Sequence, residues 1–359
     1  MSACRYESHP GVPLKEHLRA VGALCREYAS GSAPGRLAQV AEVAGACHDV
    51  GKYSAFFQRR LRGLDPPSPL SAHSELSALT AAWVVYERLG ECDASCMAYI
   101  AVRFHHSRLS SDVAVRNRKA LRRQARSIRG GAGEVYPELA YAGVPEAARF
   151  IDSFDSELGR VEEVVKLGLL EARRKREFAS LLFLYSCLVD ADRKHAGGPG
   201  ARQAAGRLSS LDIQAYSSSL GGPGELNELR RLLFRETAES IRRLGAGGGP
   251  VFTLTAPTGL GKTLAGANAA LSLSEMLGGR RVIYALPYIA IIDQVYDDLE
   301  RIYTGRYGTR DPYGILRHHH LAFAGGEGEG ASVDDALLLA DSWDSHLVVT
   351  SFERLFASV

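Results

Sequence analysis

The spacing of apolar residues changes once along this chain, and that change limits the possible folds more than any other feature. From residue 13 to about 195, apolar residues recur with the 3.6-residue period of amphipathic helices, and β-branched runs are scarce. The stretch 196–225, AGGPGARQAAGRLSSLDIQAYSSSLGGPGE, is rich in Gly, Ser and Ala and reads as a linker. Beyond it a helix, ELNELRRLLFRETAESIRRLG, leads to an apolar strand, PVFTLTAP. A glycine loop, a helix and two further strands, RRVIYALP and SHLVVTS, follow. Strands alternating with helices predict a parallel sheet covered by helices. The expected architecture is multi-domain: an all-α domain over 1–195, a linker over 196–225, and an α/β domain over 226–359. Three strands are few for such a domain, and the pattern stops at SFERLFASV, so the α/β part is expected to be incomplete.

A chain of 359 residues accommodates about two domains of ordinary size. The formal net charge is +2, so no global field draws the molecule to nucleic acid, and any basic surface must be local. The six cysteines fall mostly inside apolar helical patterns, where they read as small core residues. Cys92 and Cys96 are spaced CxxxC, with no second pair to complete a zinc site. Without a disulfide framework, a reducing, cytoplasmic compartment is expected. The N-terminus, MSACRYESHPG, lacks the apolar core of a signal peptide, and no apolar stretch is long enough to span a membrane.

The helical region carries polar residues where its stripes should be apolar. His17 lies in the stripe Leu14, Leu18, Val21, Cys25 of PLKEHLRAVGALCREYA. His48 continues the stripe of RLAQVAEVAGACHDVGK, and Asp49 follows it, turned about 100° to the flank. Gly51 reads there as a helix stop. His73 opens the helix of SAHSELSALTAAWVVYE, and His105 and His106 close that of MAYIAVRFHHSRL. In EFASLLFLYSCLVDADRKH the stripe runs through Leu181, Leu182, Tyr185, Leu188 and Val189 to Asp192, leaving Asp190 toward water or a helix neighbour. Singly, each residue fits a hydrogen-bonded core position. Together, His17, His48, Asp49, His73, His105, His106 and Asp192 would leave one core crowded with polar groups, which costs free energy unless something holds them. Divalent metal does so, because imidazole and carboxylate are its natural ligands. The nitrogen-rich set fits Mn, Fe, Co, Ni or Zn better than Mg. Lys52, one turn past His48, reads equally as a neutraliser of phosphate charge and as a solvated helix-end lysine.

The loop APTGLGKT (Ala256, Pro257, Thr258, Gly259, Leu260, Gly261, Lys262, Thr263) stands between a predicted strand and a helix, the context of a phosphate-binding loop. There backbone N–H groups wrap a phosphate, Lys262 reaches the terminal phosphates and the Thr263 hydroxyl takes magnesium, so Mg-ATP is the expected ligand. His318–His320, in YGILRHHH, reads as a solvated polar loop. The run RNRKALRRQARSIRG, 116–130, reads as a helix that either tracks a nucleic-acid backbone or is simply a solvated face.

The pattern H…HD…H…HH…D resembles the HD-domain metal hydrolases. The resemblance implies a catalytic role for His48, Asp49 and Lys52, and it makes the seven residues named above ligands of two ions roughly 3.5–4 Å apart bridged by Asp49, an arrangement that supports phosphoester hydrolysis. PTG before GKT is similar to superfamily-2 helicases. YALPYIAIIDQV, with Pro287, looks like their DNA-backbone motif. VVTSFERLF, with Thr350 and Ser351, looks like a further strand end that contacts phosphate. LNELRRLLFRETA resembles the adenine-reading helix, with Arg235 where glutamine is expected. No DExH motif follows, so the motor is expected to be truncated within its first RecA-like domain and to hydrolyse ATP poorly. An HD hydrolase joined in this order to a helicase resembles the type I CRISPR-associated helicase-nucleases. That resemblance implies a metal-dependent endonuclease cutting single-stranded DNA opened by a guide-RNA surveillance complex, with an ATP-driven motor. A nucleotide phosphohydrolase and a non-catalytic remnant are the alternatives.

Overall fold

The computed structural model describes residues 5–30, 35–107, 109–196, 204–220, 222–244, 251–279, 281–319, 343 and 345–357. The chain divides into two compact units, 1–199 and 200–359.

In the first unit a short hairpin, β1 (Glu7–His9) and β2 (Val12–Pro13), precedes helices α1 (Leu14–Ser30) and α2 (Gly35–Cys47). A 3-10 turn, Val50–Tyr53, leads to α3 (Ala55–Leu61), α4 (Ser74–Leu89) and α5 (Cys92–Phe104). Helices α6 (Arg118–Arg129), α7 (Ala132–Tyr141), α8 (Glu146–Asp152), α9 (Phe154–Lys175) and α10 (Phe178–Ala196) complete it. The predicted stripes form the core: Leu14, Leu18, Val21 and Cys25 of α1 are fully buried, as are Val40, Ala41 and Ala44 of α2. Burying such stripes against one another supplies most of what holds helices of this length together. At Gly45 a Cβ would stand 2.8 Å from Val21 O and 2.9 Å from Gly22 Cα, so only glycine lets α1 and α2 approach this closely. That approach sets His17 beside His48.

The second unit holds α11 (Ser210–Ser219), α12 (Glu225–Leu244), α13 (Lys262–Met276), β3 (Val282–Leu286), α14 (Ile289–Tyr307), β4 (Ile315–His318) and β5 (Leu347–Ser351). A short helix, Phe352–Ala357, follows. The three strands form a parallel sheet ordered β3-β5-β4, in register Ala285↔Thr350 and His318↔Thr350. Thus the chain is mostly helical with a small parallel sheet.

Three expectations are corrected. The stretch 196–225 is not a plain linker: α11 lies in it, started by a capping box in which Ser209 and Asp212 satisfy each other's backbone N–H groups. Leu208 and Ile213 are buried in the core of the second unit beside Leu271, Ile292 and Leu299. The segment 251–257 carries no strand; Val251, Phe252 and Leu254 face solvent, and no described strand pairs with it. Finally, His318 and His319 are not in a solvated loop. His318 ends β4 and is 7% exposed against Trp343 and Thr350, while His319, 5% exposed, places Nε2 3.0 Å from Asp293. His320 lies outside the described residues.

Candidate functional site

The helical unit gathers all seven predicted polar residues into two adjoining groups, His17, His48, Asp49, Asp192 and Asp49, His73, His105, His106. Within each group one ligand atom per residue lies within 4.8 Å of every other. Asp49 belongs to both. Its Oδ2 lies 3.5 Å from His17 Nε2 and 3.3 Å from His48 Nε2. Its Oδ1 lies 3.1 Å from His73 Nε2 and 3.8 Å from His105 Nε2. Asp192 Oδ1 sits 3.1 Å from His17 Nε2 and 3.3 Å from His48 Nε2, and His73 and His106 meet through Nε2 at 3.2 Å.

Local backbone produces this convergence. Helix α2 stops at Cys47, so His48 and Asp49 lie in a turn, with Asp49 at φ −118° and ψ 14°. The break brings Asp49 round from the flank where a continuing helix would leave it. His105 and His106 likewise follow the end of α5. Gly51 is not the helix stop, which falls at Cys47; it lies inside the 3-10 turn, where a Cβ would stand 2.5 Å from His73 O, so glycine allows His73 to close on Asp49. Two imidazoles are aimed by main-chain carbonyls. His48 Nδ1 donates to Gly45 O at 2.7 Å, and His105 Nδ1 to Val102 O at 2.5 Å, which turns each Nε2 to the centre.

Charge in the site is finely opposed. Burial would lower His48, but Asp49 and Asp192 outweigh it and raise it to about 10. Burial would raise Asp49, yet His48, Lys52 and His73 hold it well below the usual carboxylate range. Asp192 is depressed as well, against its burial, by His48 and His17. Burial lowers His73, and burial with His105 and His73 takes His106 down to about 3. Lys52 is no solvated residue: it is 4% exposed, with Nζ 2.7 Å from Asp49 Oδ2 and donating to Ser8 O at 3.3 Å. Asp49 Oδ1, Asp192 Oδ1 and His105 Nε2 are buried, and their close polar neighbours are the other imidazoles and carboxylates of the cluster. Five imidazoles and two carboxylates packed together in this way fit divalent metal. A cavity of about 360 Å³ opens beside His105, His106 and Asp192, with Ser107, Tyr185 and Arg193 also on its wall.

Sequence reasoning missed His195, whose Nδ1 lies 2.9 Å from His17 Nδ1, and His9, whose ring meets His17 edge-on at 5.5 Å. The position of His195, three residues past Asp192 on α10, was the available signal. Asp190 turns away as expected and pairs with Lys194 at 3.0 Å. The basic run is largely consumed within its own unit. Arg118 pairs with Glu162, Arg122 and Arg126 with Asp155, and Arg129 with Asp152.

In the second unit Gly259 and Gly261 adopt φ of +85° and +79°, and α13 begins at Lys262, so a glycine turn feeds a helix N-terminus. Lys262 Nζ donates to Ala256 O at 2.7 Å and Pro257 O at 3.0 Å, folded over its own loop. Arg230 of α12 reaches Gly259 O at 2.9 Å, whereas Arg235 is exposed. The other DNA-contact candidates divide. Pro287 is exposed and Ser351 half-buried at the strand ends, but Thr350 is fully buried and donates to His318 O at 2.8 Å. In that position its hydroxyl serves the sheet, not a phosphate.

The chain thus joins a helical unit with a His/Asp cluster to a unit with a parallel sheet and a glycine loop. A family model described as DEAD/DEAH box helicase matches residues 236–359. The CRISPR-associated nuclease/helicase Cas3 of Haloferax volcanii is 27% identical over 372 aligned positions, covering 88% of this chain and 39% of that protein. The crystal structure of T. fusca Cas3 with AMPPNP superposes at a TM-score of 0.51 and 16% identity, over 98% of this chain and 43% of that one. The ATP form gives 0.52 and 17%, over 99% and 44%. The chain is similar to these proteins over most of its own length and spans less than half of theirs. Among the described residues no helix is long and apolar enough to cross a membrane.

Proposed function

We propose that the helical unit is an HD-type nuclease domain that hydrolyses single-stranded DNA with two divalent ions. The second unit is then part of a RecA-like helicase domain that binds Mg-ATP. The observation that carries this reading is the division of Asp49, with one carboxylate oxygen turned to each ligand group. Bound there, a pair of divalent ions supplies water activation and Lewis-acid stabilisation of phosphate charge. The remaining work belongs to the chain. Gly45 and Val102 carbonyls aim His48 and His105, and Asp192 completes the His17–His48 group. Lys52 holds a buried positive charge beside Asp49, available to a phosphate drawn into the site. The cavity beside His105, His106 and Asp192 gives a strand its approach, with the Arg193 guanidinium on its wall. The nitrogen-rich donor set favours Mn, Fe, Co, Ni or Zn over Mg.

The name of the Haloferax relative joins nuclease to helicase, and this reading extends both roles to the chain in CRISPR interference. A guide-RNA surveillance complex opens target DNA, and the displaced single strand reaches the helical unit. The test is cleavage of circular single-stranded DNA by the purified chain with manganese or nickel. Endonucleolytic cutting that is lost with EDTA and in Asp49→Ala supports the reading. Hydrolysis of free nucleotides with the circle left intact would replace it with a nucleotide phosphohydrolase.

A further inference from the structure

Unlike His48 and His105, whose Nδ1 atoms donate to main-chain carbonyls, His17 turns its Nδ1 to a side chain. Its Nε2 faces Asp192, Asp49 and His48, at 3.1, 3.5 and 3.2 Å. Its Nδ1 meets Nδ1 of His195 at 2.9 Å, with ring centroids 4.9 Å apart. Two imidazole nitrogens at that distance require one proton between them, because two lone pairs repel and two N–H groups clash. When Nε2 of His17 offers its lone pair to the centre, its proton must sit on Nδ1, and His195 Nδ1 must accept it.

We propose that His195 is the positioning residue for His17: it fixes the tautomer and ring orientation that present Nε2, as the Gly45 and Val102 carbonyls do for His48 and His105. This rests on the metal reading given above. The end of α10 then acts twice, supplying Asp192 to the centre and, three residues on, the acceptor that aims its neighbour. His195 is only partly buried and meets His17 through its Nδ1 and its ring, so its effect passes through that residue. Outer partners of metal-bound histidines govern affinity by about 10–100-fold when removed.

The experiment is calorimetric titration of the metal-free chain with manganese, together with its thermal unfolding. His195→Phe fills the space without an acceptor, and His195→Asn keeps an acceptor oxygen near the Nδ1 position. The expected result is about a 10–100-fold loss of affinity for one of two ions in His195→Phe, near-normal affinity in His195→Asn, and little change in metal-free melting. In the zinc-loaded chain, nitrogen NMR should show the His17 proton on Nδ1, slow to exchange in wild type and fast in His195→Phe. Wild-type affinity in a folded His195→Phe overturns the proposal, as does an equal loss in both variants. Wild-type protein that takes up no metal overturns the metal reading itself, a different outcome from two ions bound equally by every variant.

Discussion

At the scale of single residues, the site is a balance of charge that metal must disturb. In the metal-free chain His48 keeps its proton to about pH 10 between Asp49 and Asp192. A divalent ion needs that lone pair, so binding at pH 7 must release protons. Calorimetry of manganese binding in buffers of different ionisation enthalpy should show net proton release, and affinity should weaken as pH falls. Folding responds in a linked way. Between about pH 6.5 and 10 the native His48 holds a proton that the unfolded chain has lost, so its stabilisation fades as pH rises through that range. His106, lowered to about 3, does the reverse: below about pH 6.5 the unfolded chain takes up a proton that the native chain refuses. Denaturant unfolding of EDTA-treated protein should therefore find these two contributions most favourable near pH 6.5, with lower midpoints at pH 5 and pH 9. Lys52 makes a separate prediction. With its ammonium 2.7 Å from Asp49, Lys52→Met should bind manganese no more weakly than wild type but cut DNA about 10²-fold more slowly. A parallel loss of metal would reassign Lys52 to structure. All seven clustered residues were legible from sequence: His17, His48 and Asp192 fall in apolar stripes, and Asp49, His73, His105 and His106 stand at a stripe's flank or at helix ends, and polar groups that recur so on several helices converge. His195 was not, because it lies past the end of its stripe, and only the packing of α10 against α1 reveals what it touches.

At the scale of elements, helix ends and close approaches decide the geometry. Gly51 marks the junction where the turn after α2 meets the start of α4. Gly51→Ala should push His73 away from Asp49, at a cost of about 1–3 kcal/mol in stability. Metal counting on that variant should find the group containing His17 still filled and the group containing His73 weakened. Equal retention of both would show that the turn relaxes without moving His73. The helices themselves were legible through their 3.6-residue stripes. Their ends were less so, since periodicity continued α2 through His48 while the backbone stops at Cys47. Composition misled at 196–225, where Gly and Ser concealed the Ser209–Asp212 capping box of α11. It misled again at His318 and His319, where a histidine run looked polar although β5 and Trp343 cover His318. In each case the deciding contact lies far along the chain, beyond the reach of local pattern. The basic helix α6 shows the same limit. Its arginines left a nucleic-acid contact and a solvated face equally open, and in the fold Asp152, Asp155 and Glu162 pair with several of them.

At the scale of the whole molecule, two compact units carry separate chemistries, one built on imidazole and carboxylate, the other on a glycine loop and Lys262. Lys262→Ala should remove ATP binding, read by fluorescent nucleotide titration, while cutting of circular single-stranded DNA persists at the wild-type rate. Joint loss would mean that the nuclease depends on nucleotide held in the other unit. The central claim is narrower: Asp49 bridges two divalent ions held by the seven clustered residues. The direct measurement is metal content by elemental analysis with anomalous diffraction from manganese-soaked crystals, on wild type and Asp49→Ala. The account predicts two ions per chain, one toward His17, His48 and Asp192 and the other toward His73, His105 and His106, and at most one in the variant. A chain that holds no ion, or a single ion that survives Asp49→Ala, would contradict it.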